Sequence, residues 1–518
     1  RPPAPHWLTG IPAALVADCS TPWAMRVGPA IAACGAVLAL AWGVAGALGR
    51  RLGLMSGAIL ATTREWAAYA VGAEADIFLA ATVTLAGALV LRAEFGPAAG
   101  RPDRVTFFGP RPWPVLGVFV VLGATNAMKG PLFGTAFVVS ALAVYLLAGR
   151  HWDGLRRYVW FWGWLAYVAV GALWPIVSYL RYPDVADLWM NDYGKRLSEG
   201  YIGAPPWYYL VHVPWNLFPW TLAAIVGLVV TARRVFREGD RPWQFLWAWA
   251  LVPPIAFSAF DGKHHHYMLN CMAPWGPLAA AGAVALWRVA RDWHGWVRSP
   301  LFGLLILGAP GAGAALAFAK KIPGPDWIGM AVAAGWAVVA TAGWTFATHR
   351  DGRVAFVGLV VVIVVAHAAA GLHRTAYLDR YDDDRTFLAE VKQVVPVEVP
   401  LFVLNEPHPL NAAWVLYELG PRAHLLHHAT FLSSDRITAP EVYVVGRRYD
   451  QPVLAGYGEV TAVAESVRTR AEASPLERYT LFRLRFFPNL ERYPEPPVNG
   501  MQATGRSPGP VLPGPVRR

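Results

Sequence analysis

Apolar runs of about the length of a bilayer crossing recur along the first 372 residues, and no other feature of the sequence constrains the fold as strongly. A hydrocarbon core about 30 Å thick asks for roughly 20 apolar residues per helix. About twelve such runs are present, at approximately 26–48, 52–66, 76–92, 113–127, 130–148, 158–179, 207–231, 243–259, 266–287, 299–318, 327–347 and 353–372. The second and fourth are short for a crossing. Apolar and aromatic residues make up 55% of the 518 residues and charged ones only 15%, which excludes a string of soluble domains. The 25 tryptophans fit the same reading, because indole rings favour the membrane–water interface.

Every second connection between these runs is basic. "RR" (50–51), "GRPDR" (100–104), "GRHWDGLRR" (149–157), "ARRVFREGDR" (232–241), "RVARDWHGWVR" (288–298) and "HRDGR" (349–353) alternate with loops that are not. By the positive-inside rule these six are cytoplasmic. The N-terminal segment, 67–76, 127–130, 180–206, 260–265, 320–326 and everything after 372 then share the opposite face. The net charge of +11 is accounted for by this bias, and nucleic acid is not an expected partner. Cys19, Cys34 and Cys271 have no paired or metal-type spacing.

Beyond residue 372 the texture changes. "PLFVLNE" (400–406), "EVYVVG" (441–446) and "YTLFRLRF" (479–486) read as strands, and "LNAAWVLYELG" (410–420) as an amphipathic helix closed by glycine. The expected organisation is a multi-span membrane domain over 1–372, a small α/β domain over 380–487 and a Pro/Gly/Arg-rich disordered tail over 488–518. The fold class is thus an all-α polytopic membrane protein with a small non-cytoplasmic α/β domain. The chain opens at Arg1 in polar, proline-rich sequence without a signal peptide, and is expected to begin partway into a longer protein.

The chemically suggestive clusters fall on the non-cytoplasmic face. They are "RPPAPHW" at the start, "AEADIF" (73–78) with Glu74 and Asp76, "TNAMKGP" (125–131) with Lys129, the loop "WMNDYGKRLSEGYIGAPPWYY" (189–209) with Asp192, Lys195 and Arg196, and "FDGKHHHY" (260–267). Each has an ordinary reading. Glu74 and Asp76 suit a helix N-terminus, Lys129 a snorkelling interfacial lysine, and Lys195 and Arg196 a solvated loop pair. Adjacent histidines at a helix start point about 100° apart, so two of His264, His265 and His266 rarely share one ion. Taken together, several charges near one face of a membrane protein point to a polar cavity, because each costs roughly 2.5–3.5 kcal/mol at membrane depth. Cations there can grip a phosphate, and a carboxylate can take a proton from an attacking hydroxyl.

In their order, "RPPAPHWL", "RVGPA" (26–30), "EADIFLA", "NAMKGPL", "YPD", "GKRL…PPWYYL…PW" and "DGKHHHYML" resemble the polyprenyl-phosphate-dependent glycosyltransferases of the C-type membrane fold (GT-C). The branch is that of aminoarabinose transferases acting on lipid A, related to protein O-mannosyltransferases. The resemblance runs from residue 1 to about 290. It implies that Arg1 stands at the family's "KPP" lysine, which contacts the lipid phosphate. Arg196 stands at a loop arginine holding the same phosphate, with Lys195 as a substitute. Lys263 and Tyr267 stand at "GK…Y" positions lining that pocket, and Asp76 at an acid tied to catalysis or acceptor positioning. Lys129 stands at the "TKG" lysine, with Met128 in place of the threonine.

Two departures accompany the match. The family's first span and the segment with its "DE" acid, usually taken as the catalytic base, would precede residue 1; a chain complete as given is expected to be inactive. Tyr193 stands at a loop histidine linked with metal in some members, so no metal ligand is assigned and a divalent ion remains only an option. The resemblance implies an enzyme in a bacterial inner membrane, with a polyprenyl-phosphate sugar as donor and a lipid, glycan or protein as acceptor. A transporter or flippase of lipid-linked sugar and an inactive binding or scaffold subunit are the alternatives. No internal repeat of the kind common in transporters is evident.

Overall fold

A computed structural model describes residues 2–16, 23–72, 74–97, 106–182, 185–187, 189–190, 204–259, 263–319, 326–379, 384–404, 412–426, 428–434, 437–466 and 478–490. The chain divides into two compact units, 1–371 and 372–518.

The first unit is helical. Its helices are α1 (Ala4–Val16), α2 (Val27–Leu48), α3 (Arg50–Ala61), α4 (Arg64–Ala70), α5 (Ala75–Phe95), α6 (Trp113–Lys129), α7 (Phe133–Ala148), α8 (Trp152–Tyr158), α9 (Phe161–Arg181), α10 (Tyr208–Asn216), α11 (Thr221–Phe236), α12 (Arg241–Ser258), α13 (Trp275–Ala290), α14 (Pro300–Gly303), α15 (Ala309–Ala319), α16 (Asp326–Ala347) and α17 (Gly352–Asp379). A π-turn over Leu304–Gly308 joins α14 to α15, and a 3₁₀ turn over His265–Cys271 precedes α13. Among the described residues, five helices are long and apolar enough to cross a membrane alone. Counting each of two bent pairs as one span gives seven: α10 with α11, bent by 111°, and the 3₁₀ turn with α13, bent by 76°.

Helix α5 is the centre of the unit. It is apolar on nearly every face and buried along most of its length, with α2, α6 and α7 packed around it. Side chains that water alone would not drive together in lipid must associate by close packing, and small residues allow it. A Cβ at Gly87 would run into the Trp249 indole, and one at Gly43 would crowd Ala88. The tightest crossing is α11 on α13. A Cβ at Gly227 would overlap the Leu278 carbonyl, and one at Gly282 the Ala223 carbonyl. Neither backbone can move aside cheaply, so Gly282→Val is expected to cost about 1–3 kcal/mol as an overpacking defect. A fall in the thermal midpoint of the purified protein checks this, and an unchanged midpoint would contradict it. Outward faces, such as Leu165, Val168, Leu173 and Ile176 of α9, carry exposed apolar side chains suited to lipid contact.

Helices occupy the runs expected as spans, but among the described residues only five to seven of them qualify as crossings by length and composition, and several are broken. The run 52–66 is two helices, because Thr62 and Thr63 turn their hydroxyls back onto the carbonyls of Ala58 (2.7 Å) and Leu60 (2.9 Å) and close α3. Gly49 (φ 95°) and Gly130 (φ 111°) supply the left-handed backbone that reverses the chain between α2 and α3 and between α6 and α7.

The second unit holds a five-stranded sheet in the order β2-β1-β3-β5-β4, built from β1 (Leu401–Leu404), β2 (Ala423–Leu426), β3 (Glu441–Arg447), β4 (Gly458–Glu465) and β5 (Tyr479–Phe486). β1 runs parallel to β2 and β3, while β5 is antiparallel to β3 and β4. Alternation sorts the side chains onto two faces. Leu401, Val403, Tyr443, Val445 and Leu481 meet α18 (Asp384–Val394) and α19 (Ala412–Leu419). Leu404, Val442, Val444, Phe482 and Leu484 form a second core with Leu426 and Leu432. The strands expected at 400–406, 441–446 and 479–486 and the helix at 410–420 correspond to β1, β3, β5 and α19. β2 and β4 were not expected.

Candidate active site

Four elements bring the sequence candidates of the first unit together at one end of the bundle. Asp76 sits in the first turn of α5, where the helix dipole favours a carboxylate. Its Oδ1 accepts a hydrogen bond from Nζ of Lys129, the last residue of α6, and the two form an ion pair with both side chains largely buried. The ammonium also lies over the rings of Phe133, at the start of α7, and Tyr267, with centroids 5.4 and 5.2 Å away. Lys129 is therefore held from three sides rather than extended to the interface.

Tyr267 is buried in the 3₁₀ turn, in an aromatic nest with Phe133 (5.2 Å), Phe257 (5.9 Å), His264 (5.2 Å) and His266 (4.9 Å). Just before it, the Lys263 side chain enters the protein. The residue is 3% exposed, and its ammonium donates to the Ala204 carbonyl at 3.4 Å. Among the described residues no carboxylate lies within ion-pair distance of it. A buried ammonium calls for negative charge or carbonyl dipoles around it, so this lysine marks a candidate place for an anion. The segment is anchored by the His264 backbone N–H, which donates to the hydroxyl of buried Tyr209 at 3.4 Å.

A second group of acids borders this end. Glu65, buried on α4, accepts from Arg64 Nη1 at 3.2 Å, and the Arg64 guanidinium lies over Trp215. Partial desolvation and then the neighbouring charge of Asp76 raise the pKa of Glu74. Burial, then the charges of Glu74, Glu65 and Asp76, push the phenol of Tyr69 well above its ordinary value, so it stays a hydroxyl donor at any working pH. Among the described residues no three His, Cys, Asp or Glu side chains converge in a group that could hold a metal ion.

Of the sequence candidates, Asp76, Lys129 and Tyr267 are thus in direct contact, and Lys263 enters the same turn. Arg1, Lys195 and Arg196 lie outside the described residues. Tyr209, Tyr69, Glu65 and the Phe133–Phe257 wall were not singled out from sequence. "PPWYYL" carried the signal for Tyr209, but a tyrosine at an expected span start reads as an interface anchor. The opposite end of α5 holds a separate cluster around Glu94, about 27 Å away along the axis.

A scan against protein-family models finds no match. The undecaprenyl phosphate-alpha-4-amino-4-deoxy-L-arabinose arabinosyl transferase of Aeromonas salmonicida is 29% identical over 228 residues, 39% of this chain and 39% of that protein. The transferase of the same name from Yersinia enterocolitica is 31% identical over 263 residues, 46% of this chain and 44% of its own length. That from Serratia proteamaculans is 29% identical over 275 residues, 49% and 48%. The chain spans less than half the length of the curated relatives it matches. Among solved structures, ArnT from Cupriavidus metallidurans bound to undecaprenyl phosphate aligns over 95% of this chain and 89% of its own, with a TM-score of 0.70 at 18% identity. The fold is the ArnT fold. The apo form of that protein gives the same result, with a TM-score of 0.69 over 93% of this chain. The mostly helical architecture with a small C-terminal sheet, expected from the apolar runs and the strand patterns after residue 372, is therefore found, and the curated relatives are the aminoarabinose transferases that the motifs resemble. On this ArnT fold, the Asp76–Lys129–Tyr267 contact and buried Lys263 occupy one end of the helical unit.

Proposed function

We propose that the protein is an integral membrane glycosyltransferase that moves a sugar from an undecaprenyl-phosphate donor to a lipid acceptor on the non-cytoplasmic face of a bacterial inner membrane. The observation that carries this reading is Lys263, a buried cation with no described counter-charge, set beside Asp76, Lys129 and Tyr267 on a fold shared with a structure that holds undecaprenyl phosphate. In this reading twelve spans place the site outside and the basic loops inside. The sugar class suggested by the relatives' names is an amino-deoxy pentose, and the acceptor a lipid A type glycolipid, with other glycans or proteins as outside options.

In this proposal the base is Asp76, in place of the acid that the resemblance puts ahead of residue 1; it takes the proton of the acceptor hydroxyl, whose oxygen attacks the anomeric carbon. The bond from that carbon to the phosphate oxygen breaks, and the lipid phosphate leaves with the bonding pair. Negative charge grows on the phosphate in the transition state, so cations fixed there beforehand accelerate the step. Lys129 is already balanced by Asp76, which leaves Lys263 as the principal described cation for the phosphate, with Arg1, Lys195 and Arg196 assigned to it by resemblance. Tyr267 lines the same pocket and holds Lys129 in place.

The test uses the full-length protein in proteoliposomes with undecaprenyl-phosphate-linked aminopentose and a lipid A acceptor. Transfer is expected. Absence of transfer across a panel of donors, with movement of intact donor across the bilayer, would replace the transferase reading with a transporter. Lys263→Ala is expected to weaken donor binding about tenfold to hundredfold, the worth of one charge-assisted hydrogen bond. His264→Ala, which leaves the backbone N–H to Tyr209 intact, is expected to change it less than about threefold on the same scale. Equal losses in the two variants would remove Lys263 from its assigned role.

A further inference from the structure

The end of the helical unit away from the candidate active site carries a basic surface depression. Helix α13 starts at the turn that holds Tyr267 and runs about 24 Å to Ala290. There the loop after it meets the short connection between α16 and α17. Between them lies an open depression of about 380 Å³ lined by the exposed residues Arg291, Asp292, Trp293 and Arg350.

Indole contacts fix the frame of this depression. Trp287 Nε1 donates to the His349 carbonyl at 3.0 Å, tying the end of α13 to the 348–352 connection. Trp293 stacks on Trp344 with ring centroids 5.6 Å apart, and Trp344 Nε1 donates to the Val297 carbonyl at 2.9 Å. Two glycines make room for these rings: a Cβ at Gly352 would press on the Trp287 indole, and one at Gly303 on that of Trp344. The Arg298 Nε donates to the Trp293 carbonyl at 3.0 Å, holding the loop from its other end. These contacts tie together the two backbone segments that carry Arg291 and Arg350, and the Arg291 guanidinium lies over the Trp287 ring, 5.3 Å from its centroid.

The local acids offset part of that charge and leave Arg350 without an acidic partner among the described residues. Asp351 accepts from the backbone N–H groups of Arg353 (2.7 Å) and Val354 (3.2 Å), so its carboxylate caps α17. Asp292 pairs with Arg291 at 3.3 Å. Arg288, Arg298 and Arg353 add charge nearby, so five arginines face two aspartates over 288–298 and 349–353. Beside the depression, Trp296, Leu301, Leu305 and Ile306 are exposed along the start of the α14–α15 helix, an apolar strip at the depth where tryptophans gather.

From this juxtaposition we propose that the Arg291–Arg350 depression binds the phosphate of an anionic phospholipid, whose acyl chains lie along the Leu301–Ile306 strip. A phosphate accepts from both guanidiniums, and the apolar strip distinguishes a lipid from free phosphate. The site is independent of the transferase reading, because neither arginine is near the residues assigned to that chemistry.

Native mass spectrometry of the purified full chain in detergent, titrated with phosphatidylglycerol or phosphatidylcholine, tests the assignment. Phosphatidylglycerol is expected to be retained about tenfold more than phosphatidylcholine. Arg291→Ala with Arg350→Ala is expected to remove most of that preference, while Arg233→Ala with Arg237→Ala, an exposed basic pair at the end of α11, is expected to keep it. Arg350→Ala alone breaks no ion pair described here, so a loss of preference in a variant that melts as wild type reports the site rather than the fold. Equal retention of the two lipids, or unchanged preference in the Arg350 variant, would overturn the proposal. Displacement of bound lipid by low-millimolar inorganic phosphate would overturn the lipid assignment and leave a simple anion site.

Discussion

Asp76→Asn is expected to lower the turnover number about a hundredfold to ten-thousandfold, the usual span for removing a general base. The substitution keeps the shape of the side chain and its place in the first turn of α5, but the amide cannot accept the acceptor's proton. It also releases Lys129 from its counter-charge. With less negative charge beside it the ammonium favours the donor phosphate, so the donor KM is expected to stay level or fall while the turnover number drops. A residue that only positioned Lys129 would give the opposite pattern, with KM rising and turnover little changed. The ion pair supplies an internal control. Asp76→Asn removes the carboxylate that pairs with a largely buried lysine and lowers stability, and adding Lys129→Met restores stability without restoring turnover. Initial rates over a donor series, with melting curves for the three variants, decide the matter. Retention of turnover within about fivefold in Asp76→Asn would exclude it as the base.

That ion pair also separates what the sequence could reveal from what it could not. Asp76 and Lys129 were each visible as charges at the mouth of an apolar run, and each had an ordinary reading, as a helix-start acid and a snorkelling lysine. Both readings treat a residue alone. Pairing across 53 positions is a tertiary fact, set by how α5 and α6 pack. Lys263 shows the same limit from the other side: the motif resemblance singled it out, but its burial and its contact with the Ala204 carbonyl are visible only in the fold. Apolar periodicity located the helices because it reports exposure to lipid, yet it is blind to direction. It therefore ran α10 into α11 and α3 into α4, where bends of the backbone intervene. In the second unit β1, β3 and β5 carry dense β-branched and aromatic residues buried on both faces, and these were legible. β2 is only "AHLL" and pairs on one side, while β4 is an edge strand with four exposed positions; their pairing comes from neighbours rather than from composition.

Glu94→Gln is expected to destabilise the membrane unit by about 2–4 kcal/mol while leaving transfer per folded molecule nearly unchanged. Glu94 lies near the C-terminal end of α5, with its side chain 1% exposed. Arg157 of α8 reaches it at 3.2 Å and also donates to the Ala93 carbonyl, and Arg241 of α12 reaches it at 3.6 Å. Arg241 Nε in turn donates to the Tyr145 hydroxyl of α7 at 3.2 Å. One carboxylate thus joins four helices where two cations meet. Glutamine keeps the volume but withdraws the carboxylate that both guanidiniums contact, and Arg157, the more buried of them, bears most of the loss. Removing both sides of the contact in Glu94→Gln with Arg157→Gln is expected to cost less than the sum of the single changes, because no unbalanced charge is then buried beside α5. Thermal unfolding followed by retention on size-exclusion chromatography measures the stability, and rates at a permissive temperature measure the rest. A stability unchanged in Glu94→Gln would show the cluster to be an incidental surface pair. A loss of turnover matching that of Asp76→Asn in well-folded protein would instead show that the two ends of α5 are coupled across about 27 Å, which no described contact provides.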